Sequence, residues 1–161
     1  PPRSTPKPSS AASDVYKRQH DQHIIVEHAS DACQSNQLFK YILSDDSSGV
    51  FNGKVVVEED TKRTNASQSN KNLVLSPSAL MNANPQLEIY AEDVKCSHGS
   101  TTGQIDPEAL FYLKSRGLNH EKSMELIMNG FISDILELIK NEDIGEYLNK
   151  IASQQLEKIL K

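Results

Sequence analysis

Residues 94 to 101 read VKCSHGST, which sets Cys96 and His98 two positions apart beside a glycine and a run of small hydroxyl residues. In a strand, side chains at i and i+2 share a face, and thiolate with imidazole suits zinc, copper or iron–sulfur ligation. Two ligands do not complete a site. The sequence has no C-x-x-C, no H-x-x-x-H and no second histidine near His98. A ligand role for the pair therefore needs groups from another chain, and the plainer reading is a polar strand with a structural or solvated role.

Other chemistries lack their residues. There is no G-x-x-x-x-G-K-[ST] loop to cradle nucleotide phosphates, no G-x-S-x-G nucleophile elbow and no G-x-G-x-x-G dinucleotide turn, so this chain is expected to bind no nucleotide. Cys33, in SDACQSN, has no neighbour that would stabilise a thiolate and reads as structural. Asn65-Ala66-Ser67 matches the glycosylation sequon, which has no meaning inside a cell. Glu58, Glu59 and Asp60 form a charge run that reads as a solvated turn.

The bulk properties agree with an ordinary globular chain. Its 161 residues are 37% hydrophobic and 24% charged, with a formal net charge of -5, enough for one domain or part of a larger one. Lysine and arginine are scattered singly, which leaves no footprint for nucleic acid or anionic lipid. Apolar runs such as those in HIIVEH and KVVVEE fall far short of the roughly 20 residues that cross a bilayer. Two cysteines make no disulfide framework and suit a reducing interior. The leader, residues 1–22, is proline- and serine-rich and without apolar periodicity, so it is expected to be disordered and to carry no secretory signal. Within it SDVYKRQ resembles a translated adaptor or assembly scar and is set aside from fold reasoning.

The elements that would hold Cys96 and His98 come in two kinds. From residue 23 to about 104, short apolar runs centre on Ile25, Ile42, Val56, Val74 and Ile89, at steps of 14 to 18 residues, with strand rather than helix spacing. Turn formers separate them: SDACQSN, SDDSSG, EDTKRTNASQSNKN and SPSALMNANP. A loose repeat of this length suits a β-solenoid, whose coils bury their strands by stacking. An antiparallel meander is the rival, favoured locally because Asn52-Gly53 between apolar pairs is a hairpin signal.

From 105 to 161 the pattern is helical. DPEALFYLKSRG offers Asp106 as N-cap, Pro107 at the first position and Gly117 past the end. A second helix is predicted from Asn119 to about Lys140, its stripe formed by Met124, Ile127, Phe131, Ile135, Leu138 and Ile139 and interrupted by Gly130. A third runs from Asp143 to the end, with Ile144, Tyr147, Leu148, Ile151, Ile159 and Leu160 on its apolar side. These helices hold more apolar residues than so small a unit easily buries, so part of a stripe is expected to face a partner. Phe131 and Ile135 are the candidates for its centre, with packing against the first helix as the alternative.

The stretch GVFNGKVVVEEDTKRTNASQSNKNLVLS, followed by ANPQLEIYAEDVKCSHGSTTGQIDPEALFYLKSRGL, resembles the SufD family, scaffold subunits of the SUF iron–sulfur cluster assembly system. The resemblance runs from about His23 to Lys161 and corresponds to the C-terminal part of that family. It implies a right-handed parallel β-helix followed by a small helical domain, mainly β with α. It implies a non-catalytic scaffold that pairs with a SufB-type subunit through the β-helix and with the SufC ATPase through the helices. A transient iron–sulfur cluster would sit at the interface with the SufB-type partner. The family's functional histidine corresponds to His98, with Cys96 on the same face as a second cluster-binding candidate; imidazole is a releasable ligand for a cluster that must leave. The sister subunit SufB shares the fold and the FYL-SRG helix, but its counterpart of CSHGST resembles EHEAT, so the cysteine and glycine here favour SufD. A carbohydrate-active β-helix enzyme is the reading from a different class; it calls for clustered carboxylates along one face, which this sequence does not show. The implied location is the cytoplasm, or the plastid stroma in a plant or alga.

Overall fold

A computed structural model describes residues 19–160. The described chain is mainly β: six strands, β1 (Gln19–His28), β2 (Gln34–Leu43), β3 (Ser48–Val57), β4 (Thr64–Val74), β5 (Leu80–Ile89) and β6 (Val94–Gln104), precede three helices, α1 (Pro107–Ser115), α2 (His120–Glu137) and α3 (Glu142–Ile159). The chain divides into two compact units between Gly103 and Gln104.

In the strand unit, odd strands form one parallel sheet in the order β1-β3-β5 and even strands a second in the order β2-β4-β6. Each strand therefore skips its sequence neighbour and pairs with the next but one. Gln19 stands opposite Ser48, Gln34 opposite Asn65, and Ser48 opposite Leu80, so partners lie 29 to 32 residues apart. The 14- to 18-residue step in the sequence is thus half of the structural repeat. Inward side chains from both sheets meet in two clusters: Tyr41, Leu43, Phe51, Val74 and Ala79 form one, and Val55, Val57 and Ala66 the other. Phe51 is fully buried, with its ring 4.7 Å from that of Phe39 and edge-on to Tyr41.

Three sequence expectations change here. The leader boundary at residue 22 moves, because β1 begins at Gln19 and Gln22 accepts a hydrogen bond from the Tyr41 hydroxyl; the rest of the leader, residues 1–18, with nearly all of the scar-like stretch, lies outside the described residues. Asn52-Gly53 is no hairpin, since β3 runs straight through it. The glycine is needed for close approach: a Cβ there would stand 2.5 Å from the Phe51 ring and 2.8 Å from the Gln68 amide. Lastly, the polar stretch TNASQSNKN is β4 rather than a turn. It reads as a loop because its inward row, Thr64, Ala66, Gln68, Asn70 and Asn72, is buried but almost wholly polar, and apolar alternation is the usual signature of a half-buried strand.

In the helical unit, each helix starts on a side-chain cap that satisfies an otherwise orphan backbone N–H. Asp106 accepts from Glu108 N, Asn119 from Lys122 N, and Asn141 from Ile144 N. Gly117 stops α1 at φ +92°. Gly130 does not interrupt α2, which is continuous from His120 to Glu137. Met128 and Leu156, neither among the residues named for the predicted stripes, are the buried hydrophobic residues of α2 and α3. On α2 Met128 lies on the predicted face, one turn from both Met124 and Phe131, and Met124, Ile127, Phe131 and Ile135 are half-buried there. On α3 the inward face turns toward Leu156. Leu138, Ile144 and Tyr147 are left exposed.

Candidate functional site

Cys96 and His98 lie on β6, an outer strand of the even sheet. Alternation places both on one face with Val94, Ser100 and Thr102. At the start of the strand this face closes against apolar side chains, Val94 and Cys96 packing on the cluster of Val55, Val57 and Ala66. Cys96 is half-buried and His98 is exposed. The structure thus gives the two residues different surroundings: a thiol seated against the core and an imidazole open to approach.

The next residues on this face tie β6 to β4 through buried amides. Ser100 Oγ donates to Asn70 Oδ1 at 2.9 Å, and Asn72 Nδ2 donates to Thr102 Oγ1 at 3.1 Å and to the Thr101 carbonyl at 3.0 Å. Arg63 N donates to the Asp93 carbonyl at the strand entrances. The side-chain links pair Asn70 with Ser100 and Asn72 with Thr102; counted back by strand alternation, that spacing sets Cys96 level with Ala66, in keeping with its packing there, and His98 level with Gln68. Sequence reasoning passes over Gln68, because nothing distinguishes it within a polar stretch until the strand is known. The one available signal is Gln37, whose partner in the parallel register is Gln68 and which accepts from Gln68 Nε2 at 3.1 Å.

Among the described residues no three of histidine, cysteine, aspartate or glutamate converge as a metal cage. Cys33 is half-buried where the chain enters β2, remote in sequence from β6, and like Cys96 it is a free thiol. Glu58, Glu59 and Asp60 are exposed in the turn after β3, as a solvated charge run should be. Two buried ionisable groups of the strand unit, His28 and Tyr41, are perturbed. Burial holds the His28 imidazole below its usual range while its Nε2 contacts Ser35 Oγ at 2.9 Å. Burial, helped by the Asp21 charge, pushes the Tyr41 hydroxyl up to about 12. Both serve packing: each is a buried polar group with a hydrogen-bond partner. In the helical unit Phe131 and Ile135 are half-buried on α2. No helix among the described residues is long and apolar enough to cross a membrane.

The family profile for the SUF system FeS cluster assembly, SufBD core domain, matches residues 9–131, reaching back into the leader and forward into α2. The chain is 38% identical over 153 residues to the iron-sulfur cluster assembly protein SufD of Escherichia coli, covering 95% of this chain and 36% of that protein. It is 46% identical over 105 residues to the SufBD family protein slr0076 of Synechocystis, covering 65% of this chain and 23% of that one. To the chloroplastic protein ABCI7 of Arabidopsis thaliana it is 38% identical over 124 residues, 76% of this chain and 26% of the relative. The chain thus spans about a third or less of the length of these relatives. The long profile match and the near full-length similarity to SufD show that this chain belongs to the SufBD family of the SUF iron–sulfur cluster assembly system.

Proposed function

We propose that the chain is part of a SufD-type scaffold that helps to hold a nascent iron–sulfur cluster as cargo and is not itself a catalyst. The observation that carries this reading is the placement of Cys96 and His98 on one face of an outer strand, with His98 exposed. Only a side chain that another molecule can reach can share a cluster with it. Two ligands from this chain leave coordination positions to be filled from a partner, for which a SufB-type subunit docking along β6 is the fitting source. A right-handed parallel β-helix is the fold we infer for the strand unit, supported by strands that pair with the next but one in both sheets. The compartment we infer is the cytoplasm or a plastid, in keeping with similarity to bacterial proteins and to one named chloroplastic.

The test is His98→Ala in the assembled complex. Because His98 is exposed and has no place in either core cluster, far-UV circular dichroism and binding of the SufB-type subunit should be unchanged. Cluster formed per complex, read by absorbance and bound iron, should fall about tenfold or more, as expected for loss of a metal ligand. Equal cluster yield from variant and wild type would remove His98 from the site, and loss of the fold would make its role structural.

The helical unit is proposed to receive the SufC ATPase, since the sequence carries no phosphate loop of its own. Phe131 and Ile135 are the proposed centre of that contact. Phe131→Ala should weaken SufC binding by about 2 kcal/mol, the loss typical of an aromatic anchor, measured by titration calorimetry. Unchanged affinity would move the contact elsewhere.

A further inference from the structure

Gln68 is 2% exposed, yet its Oε1 has no hydrogen-bond partner among the described residues. A buried amide oxygen left so is costly, and buried polar groups are paired in the great majority of cases. Its other end is committed: Nε2 donates to Gln37 on β2, which leaves the carbonyl end for the opposite neighbour, β6. One and two inward positions further along β4, Asn70 and Asn72 bond across to Ser100 and Thr102, each through one amide atom, while Asn70 Nδ2 and Asn72 Oδ1 are left without a partner among the described residues. Counted back two residues along β6 from Ser100, as Gln68 is two back from Asn70, the residue level with Gln68 is His98. The amide is also clamped from the other sheet, since no Cβ fits at Gly53 without meeting both Gln68 Nε2 and Oε1 within 2.9 Å.

We propose that Gln68 is a positioning residue for His98: its buried carbonyl accepts the imidazole Nδ1–H, fixes the ring and its tautomer, and leaves Nε2 to face the cargo. Parallel strands are about 4.8 Å apart, so the bond proposed between adjacent rungs requires the His98 imidazole to turn toward β4 from the exposed position it holds in the structure. Histidines that bind metal characteristically donate their second ring N–H to a carbonyl or carboxylate, which sets orientation and raises basicity. The proposal rests on the reading of His98 as a ligand but is tested separately from it.

The experiment is side-chain ¹⁵N NMR of the histidines in the metal-free full chain, with His98→Ala for assignment. Wild type should show His98 as the Nδ1–H tautomer, Gln68→Leu should lose that preference, and Gln68→Glu, which keeps an acceptor, should retain it. Anaerobic titration with ferrous iron alone should show a 10- to 100-fold weaker affinity for Gln68→Leu, with recovery in Gln68→Glu. A wild-type His98 in the Nε2–H form, or a tautomer indifferent to Gln68→Leu, overturns the proposal. Should Gln68→Leu fail to fold, the wild-type tautomer decides. Iron binding indifferent to His98→Ala would instead overturn the ligand reading of His98, while the tautomer result would still decide the role of Gln68.

Discussion

Phe51→Ala is expected to destabilise the strand unit by about 3–5 kcal/mol, the range for deleting a buried aromatic from a packed core. Phe51 is 0% exposed and lies where the two sheets meet, its ring against Phe39 and Tyr41 in the cluster that also holds Leu43, Val74 and Ala79. Alanine would leave a cavity bounded by residues of both sheets, and two hydrogen-bonded sheets can close on it only by bending their ladders. Most of the transfer and cavity terms should therefore appear in the measured loss. Chemical denaturation followed by far-UV circular dichroism, on whichever form of the protein unfolds reversibly, gives the value. A loss below about 1 kcal/mol, the scale of a surface change, would mean that Phe51 does not join the sheets as the structure has it.

How much of this is legible in the sequence depends on what kind of side chain each element buries. Helix ends can be read from single residues, because Asp106 and Asn119 cap through their own side chains and Gly117 takes a positive φ. The face of α2 can be read too, since Met128 lies on the predicted stripe one turn from Met124, whereas that of α3 is only partly legible, because its apolar residues span a broad arc within which packing selects Leu156 over Ile144 and Tyr147. β3 is visible as an apolar run. β4 is not, for it buries Gln68, Asn70 and Asn72, whose cost is offset only in part, one end of each amide bonding to partners on β2 or β6 about thirty residues away while Gln68 Oε1, Asn70 Nδ2 and Asn72 Oδ1 have none among the described residues. The same non-local pairing hides the repeat: the spacing between runs is set by the path from one sheet to the other, whereas the structural period is the return to the same sheet. For the site, spacing alone puts Cys96 and His98 on one face, and resemblance supplies the reason to care about it. Gln68 lies beyond both, because the relation to His98 proposed for it rests on how β4 is paired with β6 through the side chains of Asn70 and Asn72.

Gly53→Val is expected to cost about 3 kcal/mol, the upper part of the range for overpacking a well-filled interior, while Asn52→Ala on the outer face should change stability by less than about 0.5 kcal/mol. The contrast separates two readings of the same dipeptide. In a hairpin, Asn and Gly share the work of a positive-φ turn, and replacing either one disturbs the register. Within β3 the two residues instead point to opposite faces: Asn52 makes long contacts, at 3.4 Å, with His23 and Asn84 on neighbouring strands, whereas Gly53 leaves room for the Phe51 ring and the Gln68 amide. Neither neighbour yields easily. Phe51 is held by two aromatic rings, and Gln68 by its bond to Gln37, so a side chain at position 53 must displace an aromatic ring from the core or break a buried amide pair. Displacing Gln68 would also remove the carbonyl proposed to orient His98. Gly53→Ala, with its single added methyl, should therefore shift the His98 tautomer in the direction of Gln68→Leu even where the chain still folds. Denaturation curves for Gly53→Val and Asn52→Ala decide the first point: equal losses at both positions would restore the turn, and no loss at position 53 would mean that the close approach in β3 is absent.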